Sequence, residues 1–303
     1  MSKIVLYILA MAAGLGLSVP VRAADVMPYA FSDQTSLASD WVSGTYASTR
    51  LVSAQTAVGP EDTQVLLGFQ IDLKPGWKTY WRSPGEAGVP PRWQWDKAGN
   101  VFDVIVEWPL PKRSSLYGIH SLVYEHQVVI PMMLKLTNPG KAVSLDLKVD
   151  YFVCENICVP LEGRYRLNIP ATAIASRPTE EASLIADYVK RVPPQVGQEQ
   201  LSTPGGVKIR GLRLANAGGN PAIEFDAVGD GPMNKADVFV EGPKDLGFGL
   251  PRRSAGKSDT STHFSVPVYG DGLNVAEALA KAPLVLTLTD GDGDAAEYRL
   301  KVK

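Results

Sequence analysis

The chain has 303 residues, 30 Lys and Arg against 32 Asp and Glu, a net charge of −2 and two cysteines. Charges of both signs are scattered along it, so no basic surface for nucleic acid is implied. Beyond an amino-terminal leader about 280 residues remain, more than one ordinary core holds, and two domains are expected.

The leader comes first. Lys3 precedes an apolar and small-residue run from Ile4 to Leu17, and Val21 and Ala23 stand at the −3 and −1 positions of a cut after Ala23. This is the layout of a secretory signal peptide. The run is short against the roughly 20 residues of a membrane span. An uncleaved anchor is the competing reading, and no Cys follows the run to accept a lipid. Residues 1–23 are therefore expected to be removed, leaving a periplasmic protein with no membrane insertion after cleavage.

Residues 46–170 read as the first domain. Strands are expected at Gln64 to Leu73, Trp77 to Arg82, Val101 to Trp108, Leu122 to Leu136, Val143 to Val153 and Arg164 to Ile169. Leu145, Leu147 and Val149 alternate with Asp146, Lys148 and Asp150, which gives one buried and one wet face. Turns fall at Lys74-Pro75-Gly76, Lys97 to Asn100 and Asn138-Pro139-Gly140. Short strands with frequent turns suggest an antiparallel immunoglobulin-like sandwich. Residues 171–200 hold one good helix candidate, with Thr179 as its cap, Glu180 and Glu181 at its positive end, and Leu184, Ile185, Tyr188 and Val189 on one apolar face. It reads as a connector ended by Pro193-Pro194. Residues 201–303 read as a second β-sandwich, with strands at Val207 to Leu214, Ala222 to Ala227, Ala236 to Glu241, Thr262 to Val268, Leu284 to Thr289 and Tyr298 to Val302. Turns are expected at Gly218-Gly219-Asn220 and Gly229-Asp230-Gly231. Asp290 to Asp294 resembles a calcium loop only superficially, because the acidic twelfth position is missing, and it reads as another turn. The fold class is all-β: two immunoglobulin-like sandwiches joined by a short helical linker.

The chemistry concentrates at Cys154 and Cys158, which strand-like residues flank. A disulfide needs Cα atoms roughly 4.4–6.8 Å apart, whereas four extended steps cover about 13 Å. If the two cysteines bond, Glu155-Asn156-Ile157 must turn. The ring would be worth roughly 2 kcal/mol, against about 4.7 for a 100-residue loop. A stabilising staple would gain more between distant strands, and short rings suit dithiol reagents, in which the second thiol resolves a mixed disulfide. Redox exchange, a structural bridge and metal ligation all stay open on these residues alone. Asp150, Glu155 and Glu162 would raise a nearby thiol pKa, and no basic residue is close in sequence.

At this motif the chain resembles the periplasmic amino-terminal domain of the DsbD family of thiol:disulfide reductases, and in particular the two-module amino-terminal region of its ScsB branch. The matching text is Gly76-Trp77-Lys78-Thr79-Tyr80-Trp81-Arg82-Ser83-Pro84-Gly85, Trp108-Pro109, Tyr117-Gly118, Val128-Val129-Ile130-Pro131 and Asp150 to Pro160. The second module adds Asp237 to Pro243 and Leu286 to Gly291. The resemblance implies an immunoglobulin-like domain that passes electrons to oxidised periplasmic proteins, with Cys158 attacking and Cys154 resolving. It implies a cap loop at Ser114, Ser115, Leu116 and Tyr117, with Tyr117 over the pair. Leu116 stands where the family often has an aromatic, and acidic cap residues are absent. No cofactor is implied. The partners expected are thioredoxin-like periplasmic proteins and a separate membrane electron donor, since no membrane or Cys-x-x-Cys module appears in the chain.

The runner-up is a binding module without redox turnover, stapled by a disulfide or binding copper. His120, His126, Met132 and Met133 are soft-metal ligand types, but their spacing matches no signature. Trp77, Trp81, Trp93, Trp95 and Trp108 suit a core between two sheets better than a carbohydrate platform.

Overall fold

A computed structural model describes residues 36–196, 206–217, 220–270 and 272–301. The leader with its cut after Ala23 lies outside the described residues, as do linker residues 197–200 and Gly218-Gly219 of one expected turn.

The first part of the fold is built from β1 (Val42–Ser43), β2 (Ala47–Ser53), β3 (Gln64–Leu73), β4 (Lys78–Gly85), β5 (Arg92–Gly99) and β6 (Val101–Val106). It continues through β7 (Lys112–Leu116), β8 (Ile119–Glu125), β9 (Gln127–Leu136), β10 (Val143–Cys154) and β11 (Cys158–Ile169). One sheet runs β1-β2-β3-β9-β6 and the other β11-β10-β4-β8-β7, with β5 also paired to β10. Their inner faces meet where Phe69 of β3 packs edge-on against Trp93 of β5 and Tyr165 of β11, at 5.2 and 5.0 Å between ring centroids. Trp81 and Trp108 are buried in this core and Trp77, Trp93 and Trp95 pack against it, so the tryptophans are core residues.

The strand expected from Leu122 to Leu136 is two strands. His126 adopts a positive φ of 62°, and the chain leaves one sheet as β8 and enters the other as β9. Only the polar stretch Glu125-His126-Gln127 interrupts the apolar run at this crossing, and no Gly or Pro marks it.

Helix α1 (Ala182–Val189) buries Ile185 and Tyr188 against the first core, and the Tyr188 hydroxyl donates to the Gln127 carbonyl at 2.8 Å. Its cap position is Glu181, without a side-chain cap bond, and not Thr179. The Thr179 hydroxyl instead donates to the Ser53 carbonyl at the end of β2, a buried acceptor that would otherwise go unpaired. Glu181 accepts from Ser36 and Arg50.

The second part begins at β12 (Gln195–Val196) and continues with β13 (Lys208–Ala217), β14 (Asn220–Val228), β15 (Asp237–Glu241), β16 (Gly247–Phe248), β17 (Arg252–Ala255) and β18 (Ser261–Tyr269). Helix α2 (Val275–Lys281), β19 (Leu284–Thr289) and β20 (Ala295–Leu300) complete it. The sheets run β12-β20-β19-β15 and β13-β14-β18-β16, with β17 on β18. They enclose a separate core around Phe225, Phe264, Leu286 and Tyr298. Among the described strands of this part all pairings are antiparallel except β12 with β20. Asp290 closes its turn by accepting backbone N–H bonds from Asp292, Gly293 and Asp294 at 2.8–3.0 Å. No described helix is long and apolar enough to cross a membrane.

Candidate redox site

β10 and β11 form one long hairpin whose last register pair is Cys154 with Cys158. Glu155, Asn156 and Ile157 make the turn, closed by the Glu155 N–H on the Ile157 carbonyl at 3.1 Å. The chain reversal brings the two Cα atoms to 4.2 Å, and the sulfurs are bonded. A disulfide here follows from hairpin register.

The two sulfurs have different surroundings. Cys154 is 7% exposed and packs with Tyr80, Val123 and Phe152. Cys158 is exposed at the start of β11. Tyr80, on β4, lies over the bond: its hydroxyl donates to Cys154 Sγ at 2.9 Å and is 3.4 Å from Cys158 Sγ. Burial raises the Tyr80 pKa, so its hydroxyl keeps its proton.

Both cysteines open onto a cavity of about 250 Å³. Leu116, Tyr117, Ile119 and Val123 give it apolar walls, and among the described residues Lys78 is its one cationic and Glu155 its one anionic lining residue. Lys78 is the direct register partner of Cys154. Its ammonium donates to Ser114 Oγ at 2.8 Å and lies 3.8 Å from Glu125. Two of the three acidic residues near in sequence are turned to other partners. Glu162 pairs with Lys148 at 2.8 Å, and the Asp150 carboxylate accepts from Gln94. Glu155 reaches over Gly76, where a Cβ would collide with its carboxylate. Gly76, at φ 86°, is the third residue of a turn closed by the Trp77 N–H on the Lys74 carbonyl. Pro75 before it completes the sequence signature of a type II turn.

Residues 48–170 match the family described as thiol:disulfide interchange protein DsbD, N-terminal. The chain carries a DsbD-family amino-terminal domain. Residues 191–303 match a family described as a domain of unknown function (DUF8393). The fold is similar to the crystal structure of the N-terminal periplasmic domain of ScsB from Proteus mirabilis, at TM-score 0.68 and 24% identity, over 88% of this chain and 99% of that one. No curated protein matches the chain.

In this DsbD-type domain the four cap residues belong to the β7–β8 hairpin. Ser114, Ser115 and Leu116 are in β7, and Tyr117 with Gly118 makes a two-residue turn at φ 52° and 82°, the positive-φ pair of a type I′ hairpin. Ser114, Leu116 and Tyr117 line the cavity, and Ser115 pairs with His120 on the strand beside it. Tyr117 is 86% exposed. The hairpin flanks the disulfide and leaves it open, and the aromatic side chain that reaches the sulfurs is Tyr80, through its hydroxyl. Nothing local in the sequence marks Tyr80 and Lys78 as site residues. What assigns them is the pairing of β4 with the end of β10, a contact across more than 70 residues.

Of the soft-metal residues, the two methionines point apart. Met132 is buried in the core, and Met133 follows it on the opposite face of β9. Among the described residues no three His, Cys, Asp or Glu side chains come together as a metal site.

Proposed function

We propose that this protein is a periplasmic electron relay that exchanges the Cys154–Cys158 disulfide with thioredoxin-like proteins, after removal of a signal peptide at Ala23. The functional units would be 46–170 for the redox domain, 171–200 for the linker and 201–303 for the second module. The observation that carries the reading is the asymmetry of the pair: an exposed Cys158 sulfur bonded to a buried Cys154 sulfur that already accepts the Tyr80 O–H.

Exchange follows from that asymmetry. A donor thiolate attacks the accessible Cys158 Sγ. A donor–Cys158 disulfide forms, the bond to Cys154 breaks, and Cys154 leaves with the electron pair as a thiolate. The Tyr80 hydroxyl stabilises that thiolate through a charge-assisted bond, in a wall that also holds the Lys78 ammonium. The donor's second thiolate then attacks its own sulfur in the mixed disulfide and releases Cys158 as a thiolate. The domain now carries two electrons. In the delivery half-reaction the Cys158 thiolate attacks a partner disulfide and one partner sulfur leaves. Cys154 then attacks Cys158 Sγ, which reforms the original bond and frees the second partner sulfur.

The test is non-reducing electrophoresis of cysteine variants expressed in the periplasm. Cys154→Ser is expected to accumulate mixed disulfides of partner size, and Cys158→Ser to give none. The opposite pattern would reverse the roles. Absence of adducts with both variants, together with a wild-type bond that resists dithiols while folded, would make the pair a staple.

A further inference from the structure

Strand β15 belongs to the second sandwich, yet its side chains serve both cores. Val238 is buried in the second core and Val240 packs against it. Phe239, between them and 3% exposed, is counted among the first core. The alternation of a strand therefore turns Asp237, Phe239 and Glu241 together towards the redox domain. β15 is also an edge strand, paired on one side only, to β19.

Each of the three grips a strand of the redox site's wall. Asp237 takes a two-pronged bond from Arg113 of β7, at 2.8 and 3.0 Å, and Arg113 also donates to the Val238 carbonyl at 2.9 Å. Phe239 packs edge-on against Trp81 of β4, at 5.8 Å, with the Arg113 guanidinium 5.3 Å from its ring. Glu241 accepts from Arg82 of β4 at 2.6 and 3.1 Å, and Glu297 of β20 accepts from the same guanidinium. Arg113 immediately precedes the cavity residue Ser114, and Trp81 and Arg82 immediately follow Tyr80.

β4 is irregular at this point. Tyr80 pairs with Val123 and Gly85 with Ser121, so Trp81 to Pro84 stand opposite Leu122 alone. A bulge of this kind re-aims side chains and breaks the local ladder. The segment after Tyr80 is thus in contact with β15 where its register with β8 breaks. Bidentate arginine–carboxylate pairs fix direction as well as distance.

We infer that the second module, through Asp237, Phe239 and Glu241 on β15, is a positioning clamp for the redox site, holding β4 and β7 so that the Tyr80 hydroxyl stays on the Cys154 sulfur and the Ser114–Tyr117 hairpin stays beside the disulfide. This rests on the exchange reading above and gives the 191–303 module a role in it. Asp237, Phe239 and Glu241 are positioning residues and touch no reacting atom.

The experiment uses the full mature chain carrying Asp237→Asn with Glu241→Gln, substitutions that keep shape and remove the charges. Three quantities are read: the second-order rate of disulfide reduction by dithiothreitol, amide hydrogen exchange along the chain, and the melting temperature. The clamp predicts a rate about 3- to 10-fold slower, bounded by the loss expected on removing the Tyr80 hydroxyl itself. It also predicts at least tenfold faster amide exchange in residues 112–123, with β13 and β14 unchanged. Arg213→Ala, which removes a surface pair to Glu224, is expected to change neither. An unchanged rate and unchanged exchange at 112–123 would overturn the clamp, as would a loss of protection spread evenly over the chain. If the double variant does not fold, Phe239→Leu is read in the same way. Should the wild-type disulfide prove inert to dithiothreitol, the exchange reading fails, and local amide exchange still decides whether β15 holds the hairpin.

Discussion

Tyr80→Phe isolates one hydroxyl. The ring stays in place between Val123 and Cys154, and only the O–H that donates to Cys154 Sγ at 2.9 Å is lost. On a disulfide sulfur, a weak acceptor, this bond adds little to folding. On the thiolate that Cys154 becomes when the bond opens it is a bond to a charged group, a type worth about 1.5–3 kcal/mol. At about 1.4 kcal/mol per pKa unit, its loss raises the leaving-group pKa by roughly one to two units. Taking about half of that change to reach the transition state, as for other thiol–disulfide steps, reduction slows by roughly 3- to 10-fold. The assay is stopped-flow reduction of the folded, oxidised protein by dithiothreitol, with thermal melting to show that the fold is kept. A Tyr80→Phe protein that melts like wild type and is reduced equally fast would refute the assignment of Tyr80 to the leaving thiolate.

Burial raises the Tyr80 pKa, so the neutral donor persists beyond the ordinary range. The wild-type reduction rate is then expected to rise with pH as the attacking thiol ionises, with no downturn below about pH 10. A downturn in that range that disappears in Tyr80→Phe would contradict this. Gly68 of β3 lies beneath α1, where an added Cβ would come 2.5 Å from Val129 Cγ1 and 3.0 Å from Ile185 Cγ1. Gly68→Ala is expected to cost about 1–3 kcal/mol by overpacking, read as a lower midpoint in urea unfolding, while the rate of exchange at Cys158 stays as in wild type. Equal stability of the two proteins would show that α1 yields without cost.

Local patterns carried much of the fold. Gln64–Leu73 was legible from end to end because apolar residues fill it and turn residues bound it. The reversal at Glu155 to Ile157 followed from the reach of an extended chain. Where the sequence misled, tertiary partners decided. Thr179 has a capping side chain, but the open carbonyl of Ser53 takes its hydroxyl. The turn at His126 rests on a left-handed residue that no Gly announces. Helix α2 did leave a local signal, Asn274 capping the Glu277 N–H, but its seven residues are too few for a periodic stripe to show. In the site, the cysteine pair was readable from its spacing and flanking strands, while the expectation at Ser114 to Tyr117 came from the resemblance alone. Tyr80 and Lys78 were not readable, because strand pairing between distant segments places them at the sulfurs. The alternation Asp237, Phe239, Glu241 was visible as a strand, but which face met the other sandwich was set by the partners Arg113, Trp81 and Arg82.

The central claim is that Cys154–Cys158 is an exchangeable bond. Its most direct test is the reduction potential of the pair in the folded mature protein, measured by equilibration with glutathione and dithiothreitol buffers and quantified by thiol alkylation and mass spectrometry. An exposed Cys158 sulfur in a short ring, with a donor waiting for the Cys154 thiolate, predicts a potential above about −300 mV and full reduction without unfolding. A potential well below about −300 mV, or reduction only under denaturing conditions, would contradict the account and leave the pair as a structural bridge.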